Sequence, residues 1–441
     1  MTVAVLAHGL GGSGDLPVPY AYAMVGAAWA LTFTFAVVAF AWRRPRFDPA
    51  KPGHPLPSAL TAFVDARVTR RVAAGAVLVF TVWVVAAGVW GPQTQSNGLL
   101  GAFYVLLWVG LVAASLVFGP VWRVISPVRT IYLLLRPALP GRARRTYPER
   151  WGYRPAAAGL FAFVWMELAS PDSASLPWVK TWLLVYVAVL LIGAWLCGQR
   201  WLARADPFGV YSMAVSRLCP FRRSPTTGRI VVGNPFDHLP SLPVRPGIVI
   251  VLAVLLGSTA FDSYSASPTW RNFADRMSAT VPSSALRTVG LLLFISVVAL
   301  TFSLAARATG GVERDQRRAL PGQLAHSLIP IVVGYIFAHY LSYLIERGQQ
   351  AVIALADPFG RGWNPLGLAH LRVWYVLSMH PPVLAGIKVA CVVTGHIMAV
   401  IAAHDRALRL LPPGHQLTGQ LTMMLVMVSY TFTGLYLLFG G

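Results

Sequence analysis

The stretch LAHSLIPIVVGYIFAHYLSYLIE, from Leu324 to Glu346, decides the fold. At about 1.5 Å of rise per residue it is long enough to cross about 30 Å of hydrocarbon as a helix. Its one formal charge, Glu346, stands at the end. Runs of similar length recur along the chain, and we place spans at 20–42, 70–90, 99–118, 155–170, 178–197, 246–262, 286–306, 324–346, 381–403 and 419–439. The expected fold class is therefore all-α, a polytopic transmembrane bundle of about ten helices that forms a single domain over 1–441.

Composition agrees with that reading. Of 441 residues, 56% are hydrophobic and 12% charged, and the mean hydropathy is +0.61, which excludes an ordinary soluble protein. The formal charge of +21, from 36 Lys+Arg against 15 Asp+Glu, would point to nucleic acid in a soluble chain. Here the basic residues segregate, with about 28 after odd-numbered spans and about 6 after even-numbered ones, which is the positive-inside bias. Both termini are then extracytoplasmic in a plasma-membrane protein. The basic loops at 43–69, 119–154 and 198–245, with Arg142, Arg144, Arg145, Arg222 and Arg223, are expected in the cytoplasm against anionic lipid headgroups. No interleaved aromatic platform supports nucleic-acid binding.

The first span has no basic region before it and no small-residue cleavage site, so it reads as a retained helix. Cys197, Cys219 and Cys391 are far apart and make no CxxC pair, which leaves neither a disulfide framework nor a thiolate metal knuckle.

Two stretches, 119–178 and 198–270, resemble each other. Trp122, Ser126-Pro127, Tyr132, Pro137, Arg154-Pro155 and Trp178 recur as Trp201, Asp206-Pro207, Tyr211, Pro220, Arg245-Pro246 and Trp270. Each copy reads as a helical hairpin whose return helix ends in an acid, Glu167 or Asp262. A fainter third copy would run into the eighth span, with Pro330 and Glu346 in the places of Pro246 and Asp262. Repeated helix sets are common in transporters, where the binding site lies between them. The segments Ile131–Pro137 and Val210–Pro220 read as short amphipathic interfacial helices or plain loops. Ala-Asp-Pro-Phe-Gly occurs twice, at 205–209 and 356–360, and Asp-Pro is a helix-starting turn.

Ionisable side chains inside apolar runs are costly and turn toward a bundle interior or a cavity. They are Glu167, Asp262, His339, Glu346, Lys388 and His396. Lys388 and His339 each fall roughly 10 Å below the outer surface, and Glu167 lies near that level. Glu167 or Asp262 is the natural partner for the Lys388 ammonium. Tyr335, His339 and Tyr343 are spaced by four and share one helix face, more often a packing face than a cavity wall. Lys388, Glu167, Asp262, His339 and Glu346 are the candidate substrate- or ion-binding residues, and His396 the candidate proton relay. The alternative for the acids and the lysine is a buried ion pair that only fixes helix register. For His396 it is a neutral ring bonded to a carbonyl.

Metal chemistry has thinner support. His339 and His396 are the candidate metal ligands, for a divalent metal ion, but they differ by roughly 10 Å in depth, which argues against axial haem ligation by the pair. Met423, Met424, Met427 and Met398 offer soft thioethers to Cu(I), although methionines in apolar helices mostly fill gaps. His404-Asp405 reads as a helix cap. The glycine-rich opening Ala7 to Gly14 has no strand before it and no Lys-Ser/Thr after it, so a nucleotide site is rejected; it reads as an outer tail with His8 and Asp15 poised to close over the outer face. No H-E-x-x-H or G-x-S-x-G is present.

His8-Gly9-Leu10 followed by Asp15-Leu16-Pro17 and a long first helix, with the Phe261-Asp262-Ser263 turn and Trp270, resembles a group of actinobacterial multi-pass proteins sometimes labelled fenitrothion hydrolase. The resemblance covers about 20 residues by motif and implies cleavage of an organophosphate ester within the membrane. It carries no catalytic residues across.

The leading functional expectation is a transporter or permease for a small solute or ion, with a polar cavity in the outer half of the membrane. The alternatives are a membrane-embedded metal-dependent enzyme, hydrolase or oxidoreductase, and a non-catalytic assembly partner.

Overall fold

The computed structural model describes residues 13–138, 145–309, 312–364, 367–368, 370–416 and 418–439; His8, most of the glycine-rich opening, Arg142 and Arg144 lie outside them. The chain is an all-α bundle. In chain order its principal helices are α1 (Tyr20–Ala41), α2 (Arg67–Trp90), α3 (Gly98–Phe118), α4 (Pro127–Leu135), α5 (Arg154–Leu168), α6 (Leu176–Cys197), α7 (Gln199–Ala205), α8 (Pro207–Val215), α9 (Ile248–Ser265), α10 (Ser283–Arg307), α11 (Arg314–Ala356), α12 (Pro381–Leu410) and α13 (Leu421–Phe439).

Among the described residues nine helices are long and apolar enough to cross a membrane, against the ten expected. The tenth, α5, has only 15 residues, short of the 20 or so a bilayer requires. Arg154-Pro155 starts it, and its Ala156, Leu160, Phe163 and Val164 are buried in protein. It fills the bundle rather than spanning it alone.

Burial separates an inner from an outer layer. The apolar windows of α9 and α11 are 72% buried, whereas those of α1, α2 and α6 are 17% buried and expose large side chains such as Trp29, Phe33, Val79 and Leu184. Such rows are stable where the solvent is lipid. The inner pair α11 and α12 cross at glycines: a Cβ on Gly334 would lie 2.5 Å from the Cys391 carbonyl oxygen, and one on Gly395 2.6 Å from that of Pro330. Small residues permit this close approach where no hydrophobic gradient drives helices together.

The Arg-rich segments gather at one end of the bundle. A small sheet of order β1-β3-β2 joins β1 (His54–Pro55), β2 (Phe221–Arg223) and β3 (Ile230–Val232), all antiparallel, with Arg222 opposite Val231. Arg222 donates to the carbonyls of Pro49 (3.2 Å) and Lys51 (2.7 Å), and Glu149 bridges Arg204 (2.8 Å) and Arg245 (2.9 Å). Those two guanidiniums, Arg204 foremost, hold the Glu149 carboxyl below its usual range. Asp405 of α12 accepts from the backbone of Arg46 and Phe47 and from Trp42 Nε1, while His404 bonds the Trp42 carbonyl and Gln420. His404-Asp405 thus pins the segment after α1 instead of capping a helix.

α4 and α8 occupy equivalent places in the two similar stretches. Each begins at a proline behind a capping side chain: Ser126 Oγ accepts from the Arg129 amide, and Asp206 Oδ1 from that of Phe208. α4 is amphipathic and exposes Leu133, Leu134 and Leu135. α8 is not an interfacial helix, against the expectation for Val210–Pro220: Val210, Tyr211, Ser212, Ala214 and Val215 are all buried. The physical reason is the Asp206 carboxylate, which also accepts from Trp122 Nε1 (2.7 Å) and the Tyr186 hydroxyl (3.0 Å), drawing the start of α8 into the core.

Candidate functional site

Away from the Arg-rich end, α3, α5, α8, α9 and α11 bring a set of polar side chains together. Asp262, near the end of α9, is the centre: its Oδ2 accepts from the Tyr340 hydroxyl at 2.7 Å and from His339 Nε2 at 2.9 Å. On the other side of the imidazole, Nδ1 lies 3.1 Å from Ser263 Oγ, which also stands 3.2 Å from the Thr259 carbonyl. Tyr335 closes the chain, 3.4 Å from both Ser263 Oγ and the Gly434 carbonyl. All of these side chains are buried.

This arrangement satisfies the imidazole in two protonation states. With His339 neutral, Nε2–H donates to Asp262 and Nδ1 accepts from Ser263. With His339 protonated, Nδ1–H donates to Ser263 Oγ, whose own hydrogen turns to the Thr259 carbonyl. Neither state strands a buried donor.

Glu167, at the end of α5, joins the cluster through its charge. It acts on Asp262 and on the hydroxyls of Tyr104, Tyr211, Tyr340 and Tyr343. Its Oε2 is buried and has no hydrogen-bond partner among the described residues, and the same holds for the hydroxyl of Tyr211. The rings assemble closely, with Trp108 and Tyr211 centroids 5.2 Å apart and those of Tyr340 and Tyr343 6.3 Å apart. Two π-helical turns, Ala102–Gly110 in α3 and Tyr343–Arg347 in α11, pack against one another beside the cluster and carry Tyr104, Trp108 and Tyr343. Such turns cost helix stability and concentrate at functional sites.

The other candidates lie elsewhere. Lys388 is buried on α12, but the acid whose charge acts on it is Asp15, from the turn Ser13–Asp15 that packs on α12, rather than Glu167 or Asp262. The sequence placed Lys388 and the acids at similar depth and had no means of bringing the distant N-terminal segment alongside. Glu346 ties down the segment before α12, accepting from the amides of Leu377 (3.1 Å) and Ser378 (2.8 Å) and from Ser378 Oγ (2.5 Å). His396 Nδ1 donates to the Val392 carbonyl one turn back at 2.9 Å, and its Nε2 has no partner among the described residues.

Among the described residues no three His, Cys, Asp or Glu side chains are grouped to hold a metal, and His339 and His396 have separate partners. Met423, Met424 and Met427 line an apolar cavity of about 30 Å³ with Phe35 and Leu320, toward the Arg-rich end. Tyr104, Trp108 and Tyr211 were missed because a search for ionisable residues passes over them; a Tyr and a Trp four apart in the third span were the available signal.

No family model matches the chain, and no curated protein or solved structure resembles it at a significant level.

Proposed function

We propose that the protein is a proton-coupled transporter of a small solute, in which Asp262, His339 and Glu167 carry the coupling proton. The observation that supports this reading is the buried chain in which the α9 carboxylate of Asp262 holds the α11 imidazole of His339, whose hydrogen bonds suit both its charge states, with the charge of Glu167 from α5 bearing on Asp262. Two like charges in a low-dielectric interior are relieved by a proton or a cation, which makes the cluster a place where one is taken up and released. In this reading the Arg-rich end faces the cytoplasm and its anionic headgroups, the short α5 still carries the chain from that end to the opposite one inside the shelter of the bundle, both termini lie outside, and the membrane is the plasma membrane. Asp15 against Lys388 holds the N-terminal segment over the outer end of α12.

The test is proton movement in proteoliposomes loaded with a pH-sensitive dye while a panel of cations, anions, sugars and amino acids is added outside. One solute class is expected to shift internal pH, with the shift abolished by Asp262→Asn and by His339→Gln and kept by Glu149→Gln. Full coupled flux in folded Asp262→Asn, or no response to any class, overturns the proposal.

A second reading has one observation of its own. Ser263, His339 and Asp262 stand in the order nucleophile, base and acid, and the resemblance to the fenitrothion hydrolase group implies ester cleavage. Here the Ser263 oxygen would attack phosphorus, its proton passing to His339 as the ester leaving group departs. A fluorophosphonate probe that labels Ser263, with labelling lost in His339→Gln, supports it; an unlabelled Ser263 removes it.

A further inference from the structure

We infer that the apolar cavity toward the Arg-rich end is a groove for one acyl chain of an anionic phospholipid, whose phosphate lies against Arg406; this goes beyond the transport reading and does not rest on it. The groove lies between α1, α10, the start of α11, α12 and α13. On α12 its wall extends from Val400 to Leu411, which at about 1.5 Å of rise per residue is roughly 16 Å. Its volume is nevertheless only about 30 Å³. A space so drawn out is too slim for a compact solute and fits a hydrocarbon chain.

The walls call for an apolar occupant. Ala305, Ala403 and Ala407 leave the groove open, and Met423 and Met427 line it with pliable thioethers. Thr309 and Gln420 are its polar members, and both are engaged: the Thr309 hydroxyl donates to the Ala306 carbonyl at 2.7 Å, and Gln420 Oε1 lies 3.0 Å from His404 Nδ1. Water gains little in such a space, whereas a hydrocarbon gains contacts along its length. Phe40 of α1 and Leu421 and Leu425 of α13 are exposed apolar side chains on the same helices, which puts lipid beside them.

The charge at this end decides the headgroup. The segments 305–324 and 400–427, which supply most of the walls, hold six arginines against three acids. Arg406 stands one helical turn from both Ala403 and Leu410, so it flanks the groove. Its Nε is buried without a hydrogen-bond partner among the described residues. Asp405 acts on Arg406 through its charge, but its oxygens are taken by Trp42 Nε1 and the amides of Arg46 and Phe47. Arg409 is committed to the Phe47 carbonyl. A guanidinium beside an apolar groove, with a donor left over, suits a phosphate joined to an acyl chain.

The experiment is photolabelling of the full-length protein in phosphatidylcholine nanodiscs doped with phosphatidylglycerol that carries a diazirine in one acyl chain. The matching phosphatidylcholine probe is run beside it, and labelled residues are mapped by mass spectrometry. Labelling of 400–411 and 423–427, taken relative to the lipid-facing α6, should be about fivefold higher with the phosphatidylglycerol probe. Unlabelled phosphatidylglycerol should compete, whereas glycerol 3-phosphate, which has the anion and no chain, should not. Arg406→Gln should lower groove labelling about fivefold, to the level of the phosphatidylcholine probe, and exposed Arg150→Gln should leave it unchanged. Ala407→Phe, which fills the groove, should abolish it with both probes while α6 stays labelled. Equal groove labelling by the two probes, competition by glycerol 3-phosphate, or undiminished labelling in folded Arg406→Gln overturns the inference. The comparison of probes on the unmodified protein decides the matter if the variants do not fold, and since no flux is read, its failure leaves the transport reading standing.

Discussion

The same five residues, Ala-Asp-Pro-Phe-Gly, begin a helix at 205–209 and end one at 356–360. Asp206 caps α8, its Oδ1 accepting from the Phe208 amide, and sits buried against Trp122 and Tyr186. Asp357 follows the last residue of α11 and folds the chain into a loop, accepting from the amides of Arg361 (3.2 Å) and Gly362 (2.8 Å). What differs is downstream and across space. Val210-Tyr211 continue apolar into a pocket of rings, whereas Gly360 and Gly362 take positive φ of 62° and 74°. An Asp-Pro pair therefore offers a turn, and its surroundings choose whether a helix follows.

Removing the acid should separate the two sites most sharply. Asp206→Ala strands the Trp122 indole N–H and the Tyr186 hydroxyl and deletes a cap, and is expected to cost about 3 kcal/mol or more. Asp357→Ala loses only loop bonds, at about 1 kcal/mol or less. Thermal unfolding in detergent followed by circular dichroism reads both, and equal losses would break the comparison.

Acid should sharpen it next. Burial pushes the Asp206 carboxyl up to about 6 from an ordinary 3.8, although Trp122, Tyr186 and backbone donors oppose the rise. The folded state then holds a proton that the unfolded chain has released, so stability rises as pH falls through 6. Between pH 7.5 and 5.5 the gain is about 1 kcal/mol. Glu149, held low by its arginines, stays ionised across that window and adds no slope. Comparing unfolding midpoints of wild type and Asp206→Asn at the two pH values checks this, since the variant should lose the rise.

The smallest effect should differ in sign. Gly209 is helical, and a Cβ there meets Asp206 at an ordinary 3.4 Å, so Gly209→Ala is expected to stabilise by about 0.5 kcal/mol. At Gly360 the Cβ would sit 2.8 Å from Pro92 Cγ with φ positive, so Gly360→Ala should cost about 1 kcal/mol. Losses at both positions in the same unfolding assay would mean that Gly209 also needs its missing side chain.

Much of the fold was legible in the sequence because a run of apolar residues is a local property. The spans from Tyr20 to Ala41 and from Leu176 to Cys197 fall within two residues of where periodicity and length put them. α5 was overcounted because 15 residues surrounded by protein look like the middle of a span. In the site, Asp262 and His339 were legible as costly charges in oil. Their partners were not, since nothing local relates Ser263 to His339, Asp15 to Lys388, or Tyr211 to Glu167.

By itself the sequence determined that the chain lives in lipid, where all but one of its expected long helices run, and which few ionisable groups had to be sheltered, because hydrophobic length and the cost of burying charge are properties of each segment alone. Only the tertiary structure decided which of those groups meet. That choice depends on helix rotation and depth, which are set where glycines such as Gly334 and Gly395 let backbones touch and where one carboxylate, Asp206, draws a helix inward.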